Sequence, residues 1–140
     1  DAQESRGLGD VYKRQIHDHG LSLDWQAPPG LVLPRDREDL LELLGNLLDN
    51  ACKWADQRVQ LTVEESAEGY RLSVDDDGPG IDAERREAVL GRGTRLDEQV
   101  AGHGLGLGIV RDIIEAWHGR IELQDSPLGG LRVVVSLPRR

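Results

Sequence analysis

The sequence predicts an α+β domain: a two-layer α/β sandwich in which helices cover one face of a mixed β-sheet. Three observations carry this expectation. A helix running from Asp36 to about Trp54 has one leucine-rich side. Val59, Leu61 and Val63 alternate, as do Tyr70, Leu72 and Val74, so these two runs form a hairpin. A second apolar helix, Leu105 to Trp117, precedes another pair of strands. Strand pairs and helices therefore interleave, and 140 residues are enough for a single core.

Residues 1–19 show no clean period and carry Gly7, Gly9 and mixed charges. They read as a linker remnant or a non-native appendage, with the domain itself spanning 20–140. Leu21 to Trp25 alternates like a half-buried strand, and Pro28-Pro29-Gly30 makes a turn. Leu31 to Leu33 is a short strand ending at Pro34. Asp36 is the expected N-cap of the long helix, with Asp39 three residues on. Glu65 to Gly69 joins the hairpin strands, and Asp75-Asp76-Asp77-Gly78-Pro79-Gly80 ends the second. A short helix follows from Asp82 to about Leu90. Gly91 to His103 is polar, glycine-rich and aperiodic. His118-Gly119 closes the second long helix through a glycine C-cap. Strands at Arg120 to Leu123 and Leu131 to Leu137 flank the turn Ser126 to Gly130.

The net charge of -9 argues against nucleic-acid binding. No apolar run approaches the roughly 20 residues needed to cross a membrane, so no membrane contact is expected of this segment. Cys52, the only cysteine, allows no internal disulfide and reads as a core thiol. Phe and Met are absent, and the only lysines are Lys13 and Lys53.

Chemistry concentrates in three places. On the long helix, about 100° per residue puts Glu42, Asn46, Asn50 and Lys53 within roughly an 80° arc. Asn is a poor helix former, and Gly45 weakens the helix further. A solvated face explains the charges but accounts poorly for two asparagines inside a leucine helix. Amide oxygens suit a hard cation, and an ammonium suits phosphate. In the acidic turn, a carboxylate at a strand end can accept a hydrogen bond from an exocyclic amine such as adenine N6. Gly78 and Gly80 allow close approach of a flat base. Alone, the segment reads first as an ordinary Asp-Gly turn. Gly102-His103-Gly104-Leu105-Gly106-Leu107-Gly108 opens a helix, where backbone N–H groups attract anions. It matches neither a dinucleotide fingerprint nor a P-loop. Arg92 and Arg95 precede it, either on a lid or on a plain exposed loop. Trp54 can stack on a base or sit at the core edge. Together the pieces fit one ligand, Mg·ATP or a close relative.

The order and spacing of these motifs resemble the ATP-binding domain of sensor histidine kinases, within the wider family that holds the DNA gyrase, Hsp90 and MutL ATPases. Glu42-x-x-x-Asn46-x-x-x-Asn50-Ala51 resembles the N box, Asp76-Asp-Gly78-Pro-Gly80 the G1 box, and Gly102 to Gly108 the G2 box. Gly45 to Trp54 and Arg92 to Arg95 look most like the PhoQ-type kinases. The resemblance implies the Bergerat fold, a mixed sheet with three helices on one face. It implies that Asn50 ligates Mg²⁺, with Asn46 assisting at the phosphates. Lys53 would contact phosphate, Trp54 would flank adenine and Asp76 would bind adenine N6. Gly78, Gly80, Gly104 and Gly106 would shape the pocket, with Gly102 and Leu105 in the same loop. Arg92 and Arg95 would be lid contacts. In the ATPase branches a Glu at this place activates water, which makes Glu42 the candidate catalytic residue.

The implied function is an ATP-binding catalytic domain of a two-component sensor kinase, with ATP and Mg²⁺ as cofactors. The γ-phosphoryl would pass to a histidine on a separate dimerisation domain and then to a response regulator. This fragment is expected to be cytoplasmic, monomeric and unable to label itself. The family's acceptor signature is absent, and His17 and His19 do not match it. A stand-alone serine kinase of the anti-sigma type, an ATPase module or a nucleotide sensor are the alternatives.

Overall fold

The computed structural model describes residues 3–4, 12–14, 16–18, 20–28, 31–80 and 107–139. Strand β1 (Gln3–Glu4) pairs antiparallel with β3 (Val32–Leu33) outside the main sheet. The main sheet holds β2 (Ser22–Gln26), β4 (Arg58–Glu65), β5 (Gly69–Asp76), β6 (Arg120–Asp125) and β7 (Leu131–Pro138). Their spatial order is β2-β4-β5-β7-β6. β2 runs parallel to β4 and the other pairs are antiparallel, so the sheet is mixed, as expected.

Helix α1 (Arg37–Trp54) begins where the sequence places it. The Asp36 carboxylate accepts a hydrogen bond from the Asp39 N–H at 3.2 Å, satisfying a donor that the first helical turn leaves unpaired. Leu40, Leu43, Leu44, Leu47 and Leu48 are buried along one side. They meet the face of the sheet carrying Val59, Leu61, Leu72, Val74 and Val135. Each such side chain contributes roughly 1.5–3 kcal/mol of apolar burial. Helix α2 (Leu107–Ala116) packs beside α1 through Val110 and Ile114. Ile109 falls on the other side and is 47% exposed. The short helix expected at 82–90 lies outside the described residues.

The sheet's other face is mostly polar. Gln60, Asp75, Arg132 and Gln124 lie in one row across four strands. Within it the Arg132 guanidinium donates to both oxygens of Asp75, at 2.7 and 3.2 Å. Alternation puts the neighbouring Asp76 on the helix-covered face.

Two sequence expectations are corrected. The left-handed residue ending α2 is His118 (φ 61°), not Gly119. The His118 N–H bonds the Glu115 carbonyl and the Gly119 N–H bonds that of Ile114, which is a Schellman closure with His118 at C′. Gly119 is required for another reason: a Cβ there would lie 2.5 Å from the Ser136 carbonyl oxygen. Part of the segment set aside at 1–19 also belongs to the core. Tyr12 and Ile16 are buried, and the Tyr12 hydroxyl donates to the Leu41 carbonyl at 3.0 Å.

Candidate functional site

The polar side of α1 is graded in burial. Glu42 and Lys53 are exposed, Asn46 is half-buried, and Asn50 is only 5% exposed. The Asn46 amide donates to the Glu42 carbonyl at 2.8 Å, which ties its nitrogen to the helix and leaves its oxygen as an acceptor. Asn50 makes no side-chain hydrogen bond with a described residue. The Lys53 ammonium lies 5.9 Å from the centre of the Trp54 ring. Behind the polar side, Cys52 packs against the core; burial, with Asp49 beside it, pushes its thiol up to about 11, so it stays protonated and unreactive.

The three adjacent acids divide their work. Asp75 turns outward to Arg132. Asp76 turns inward and is 2% exposed. Its Oδ1 accepts from the Gly78 N–H at 2.9 Å and the Leu131 N–H at 3.3 Å. Burial pushes its carboxyl above the ordinary carboxylate value. The two N–H groups pull it down, and Asp77 and Asp75 add to the rise. Such a group is an acceptor held in a low-dielectric setting, suited to a donor on a buried ligand. Asp77 turns back toward α1. Its Oδ1 accepts from the N–H groups of Asp56, at 2.8 Å, and Gln57, at 3.0 Å.

Glycines let these parts approach. Gly78 packs against the Trp54 carbonyl so closely that a Cβ would overlap it. Gly80 has φ 76°, a conformation few other residues adopt. The sequence marks Gly130 only as a turn residue, yet a Cβ there would overlap the Asp76 carboxylate and lie 2.7 Å from the Gly78 nitrogen. Its N–H donates to the Asp76 carbonyl at 3.1 Å. The visible signal was the Gly129-Gly130 pair directly before a strand.

The structure thus brings the acidic turn against the end of α1, which carries Asn46, Asn50, Lys53 and Trp54. Glu42 lies on the exposed part of that helix, two turns back from Asn50. Arg92, Arg95, Gly102, Gly104, Leu105 and Gly106 lie outside the described residues. No group of three or more His, Cys, Asp or Glu that could hold a metal occurs among the described residues. The amide donors of α1 suit a cation that keeps its own waters and phosphate oxygens, as Mg²⁺ does. No described helix is long and apolar enough to cross a membrane.

Residues 35–140 match the family model described as histidine kinase-, DNA gyrase B-, and HSP90-like ATPase. The chain is 66% identical over 137 residues to the sensor protein kinase CarS of Pseudomonas aeruginosa, covering 98% of this chain and 31% of CarS. It is 35% identical over 133 residues to the sensor protein PhoQ of Escherichia coli, covering 95% of this chain and 26% of PhoQ. The chain therefore spans about a third or less of these relatives. Among solved structures, the catalytic domain of histidine kinase ThkA superposes with a TM-score of 0.83 at 22% identity, over 99% of this chain and 97% of that one. That likeness concerns the fold.

Proposed function

The chain belongs to the histidine kinase-, DNA gyrase B- and HSP90-like ATPase family, and from that premise we propose how its residues hold and present the nucleotide. It is an ATP-binding catalytic domain of the sensor-kinase type. Asp76 accepts a hydrogen bond from adenine N6. Asn50 and Asn46 offer oxygens to Mg²⁺, and Lys53 faces the phosphates. Bound Mg²⁺ would neutralise charge on the phosphate oxygens. Trp54 flanks the base, and Gly78 and Gly80 let the turn that carries Asp76 pack closely enough to present it. Arg92 and Arg95 are the candidate phosphate contacts, and the glycine loop from Gly102 to Gly106 offers backbone N–H groups to the same anion. Glu42 is the candidate catalytic residue, with a carboxylate that can polarise a water or help hold hydrated Mg²⁺. In the whole protein the γ-phosphoryl passes to a histidine on a separate dimerising domain and then to a response regulator. The domain works on the cytoplasmic side, where ATP is supplied. Phosphoryl transfer depends mainly on positioning and charge neutralisation, which is what these groups can supply.

The observation that best supports this reading is the buried Asp76 carboxylate, fixed by two backbone N–H groups and set against the end of the helix that carries Asn50. Calorimetry with a non-hydrolysable ATP analogue tests it. Magnesium-dependent binding to the wild-type chain is expected. Binding that is indifferent to both magnesium and the base would overturn it. Transfer of labelled γ-phosphate to an added histidine-bearing domain tests the activity itself.

A further inference from the structure

Asp77 is the acid in the turn that the nucleotide reading leaves without a task. Its carboxylate reaches across to the segment leaving α1 and accepts from two consecutive N–H groups. Oδ1 takes those of Asp56 at 2.8 Å and Gln57 at 3.0 Å, and Oδ2 lies 3.2 Å from the second. The helix proper closes one residue earlier, where the Ala55 N–H meets the Ala51 carbonyl at 2.8 Å. The Asp56 and Gln57 donors therefore lie beyond the helical ladder, and Asp77 satisfies them. The next residue, Gly78, packs on the Trp54 carbonyl. Two adjacent turn residues thus grip the end of the helix, and Asp76 stands immediately before them.

We infer that Asp77 is a positioning residue that clamps the base-binding turn to the end of α1 and so sets the spacing between the Asp76 carboxylate and the Asn50–Lys53 side of the helix. The inference rests on the nucleotide reading above. A ligand that spans both ends gains from that fixed spacing, because binding one end raises the effective concentration of the other. A ligand that touches one end does not. Burial pushes the Asp77 carboxyl up, but the N–H groups of Gln57, Arg58 and Asp56 together outweigh it and hold its pKa below the ordinary value. The clamp is therefore charged at neutral pH.

The test titrates the full chain with three probes: a magnesium-bound non-hydrolysable ATP analogue, adenosine and inorganic tripolyphosphate. Asp77→Ala is expected to weaken the analogue about tenfold while adenosine and tripolyphosphate change less than about twofold. Asp77→Asn keeps an oxygen that can accept both N–H groups and restores analogue binding to within about twofold of wild type. If Asp77→Ala does not fold, Asp77→Glu carries the test: its extra methylene pushes the turn off the helix end and reproduces the selective loss. Unchanged analogue affinity in the folded variant, or an equal loss for adenosine, overturns the clamp. A wild-type chain that binds none of the probes overturns the nucleotide reading, and the clamp with it.

Discussion

Gly130 and Asp76 are locked together. The Gly130 N–H donates to the Asp76 carbonyl at 3.1 Å, and the Asp76 carboxylate fills the space where a side chain on residue 130 would begin. Gly130→Ala should therefore move the carboxylate or part β5 from the turn before β7. Overpacking of this kind costs about 1–3 kcal/mol of stability. Affinity for an ATP analogue should fall at least about tenfold, or 1.4 kcal/mol, while tripolyphosphate binding holds. Chemical denaturation and calorimetry on the same variant check both.

Asp76→Asn should separate stability from recognition. The folded-state pKa of Asp76 is raised, so its contribution to stability is fully present below the unfolded value and is lost as pH rises through the folded one. At neutral pH the buried charge opposes folding. The Asn oxygen can still accept from the Gly78 and Leu131 N–H groups, so the variant should melt higher than wild type at neutral pH. That gap should close in acid. Adenine binding should fall while triphosphate binding remains. Wild-type affinity for adenosine should decline as pH falls through the raised pKa, because the protonated carboxyl loses an acceptor. Thermal melts and titrations over a pH series measure each trend.

Asn50→Ala removes an amide that has no hydrogen-bond partner among the described residues. It should cost less than about 1 kcal/mol of stability. The magnesium-dependent part of nucleotide affinity should drop at least about tenfold. Calorimetry with and without magnesium decides, and unchanged magnesium dependence counts against the assignment.

Asp75→Ala strands the Arg132 guanidinium on the outer sheet face. Asp75 is 1% exposed and Arg132 29%, so the cost is below that of a fully buried pair, about 2 kcal/mol. Nucleotide affinity of the folded variant should not change, since the pair lies on the face away from α1. Urea denaturation beside a titration tests the contrast with its neighbour Asp76.

The chain alone should not label itself with γ-labelled ATP. Strong incorporation on His17 or His19 would count against a separate acceptor domain.

Much of this architecture was legible because period and side coincide. The leucines of α1 and the alternation in β4 and β5 specify which face is buried, and Asp36 marks where the helix begins. The candidates Asn46 and Asn50 stand out in the sequence because an amide inside a leucine helix needs a reason, whereas Asp76 stands out only beside the other motifs. Gly130 was not, because its requirement comes from a carboxylate more than fifty positions away. His118 was missed because glycine is the usual left-handed residue, and here a strand carbonyl claims Gly119 instead. Tyr12 and Ile16 were missed because a short segment with mixed charges shows no period.

The three acids at Asp75, Asp76 and Asp77 are chemically identical letters with three different addresses: an arginine on the outer face, the turn before β7, and the end of a helix. Deleting any one leaves a chain that still spells Asp-Asp-Gly-Pro-Gly. A motif scan would pass it unchanged. Yet burial of Leu72 and Val74 fixes the phase of β5, so the shortened run would leave two carboxylates for three addresses. The spelling would survive while one of the three contacts was lost, so the count of acids matters here as much as their identity.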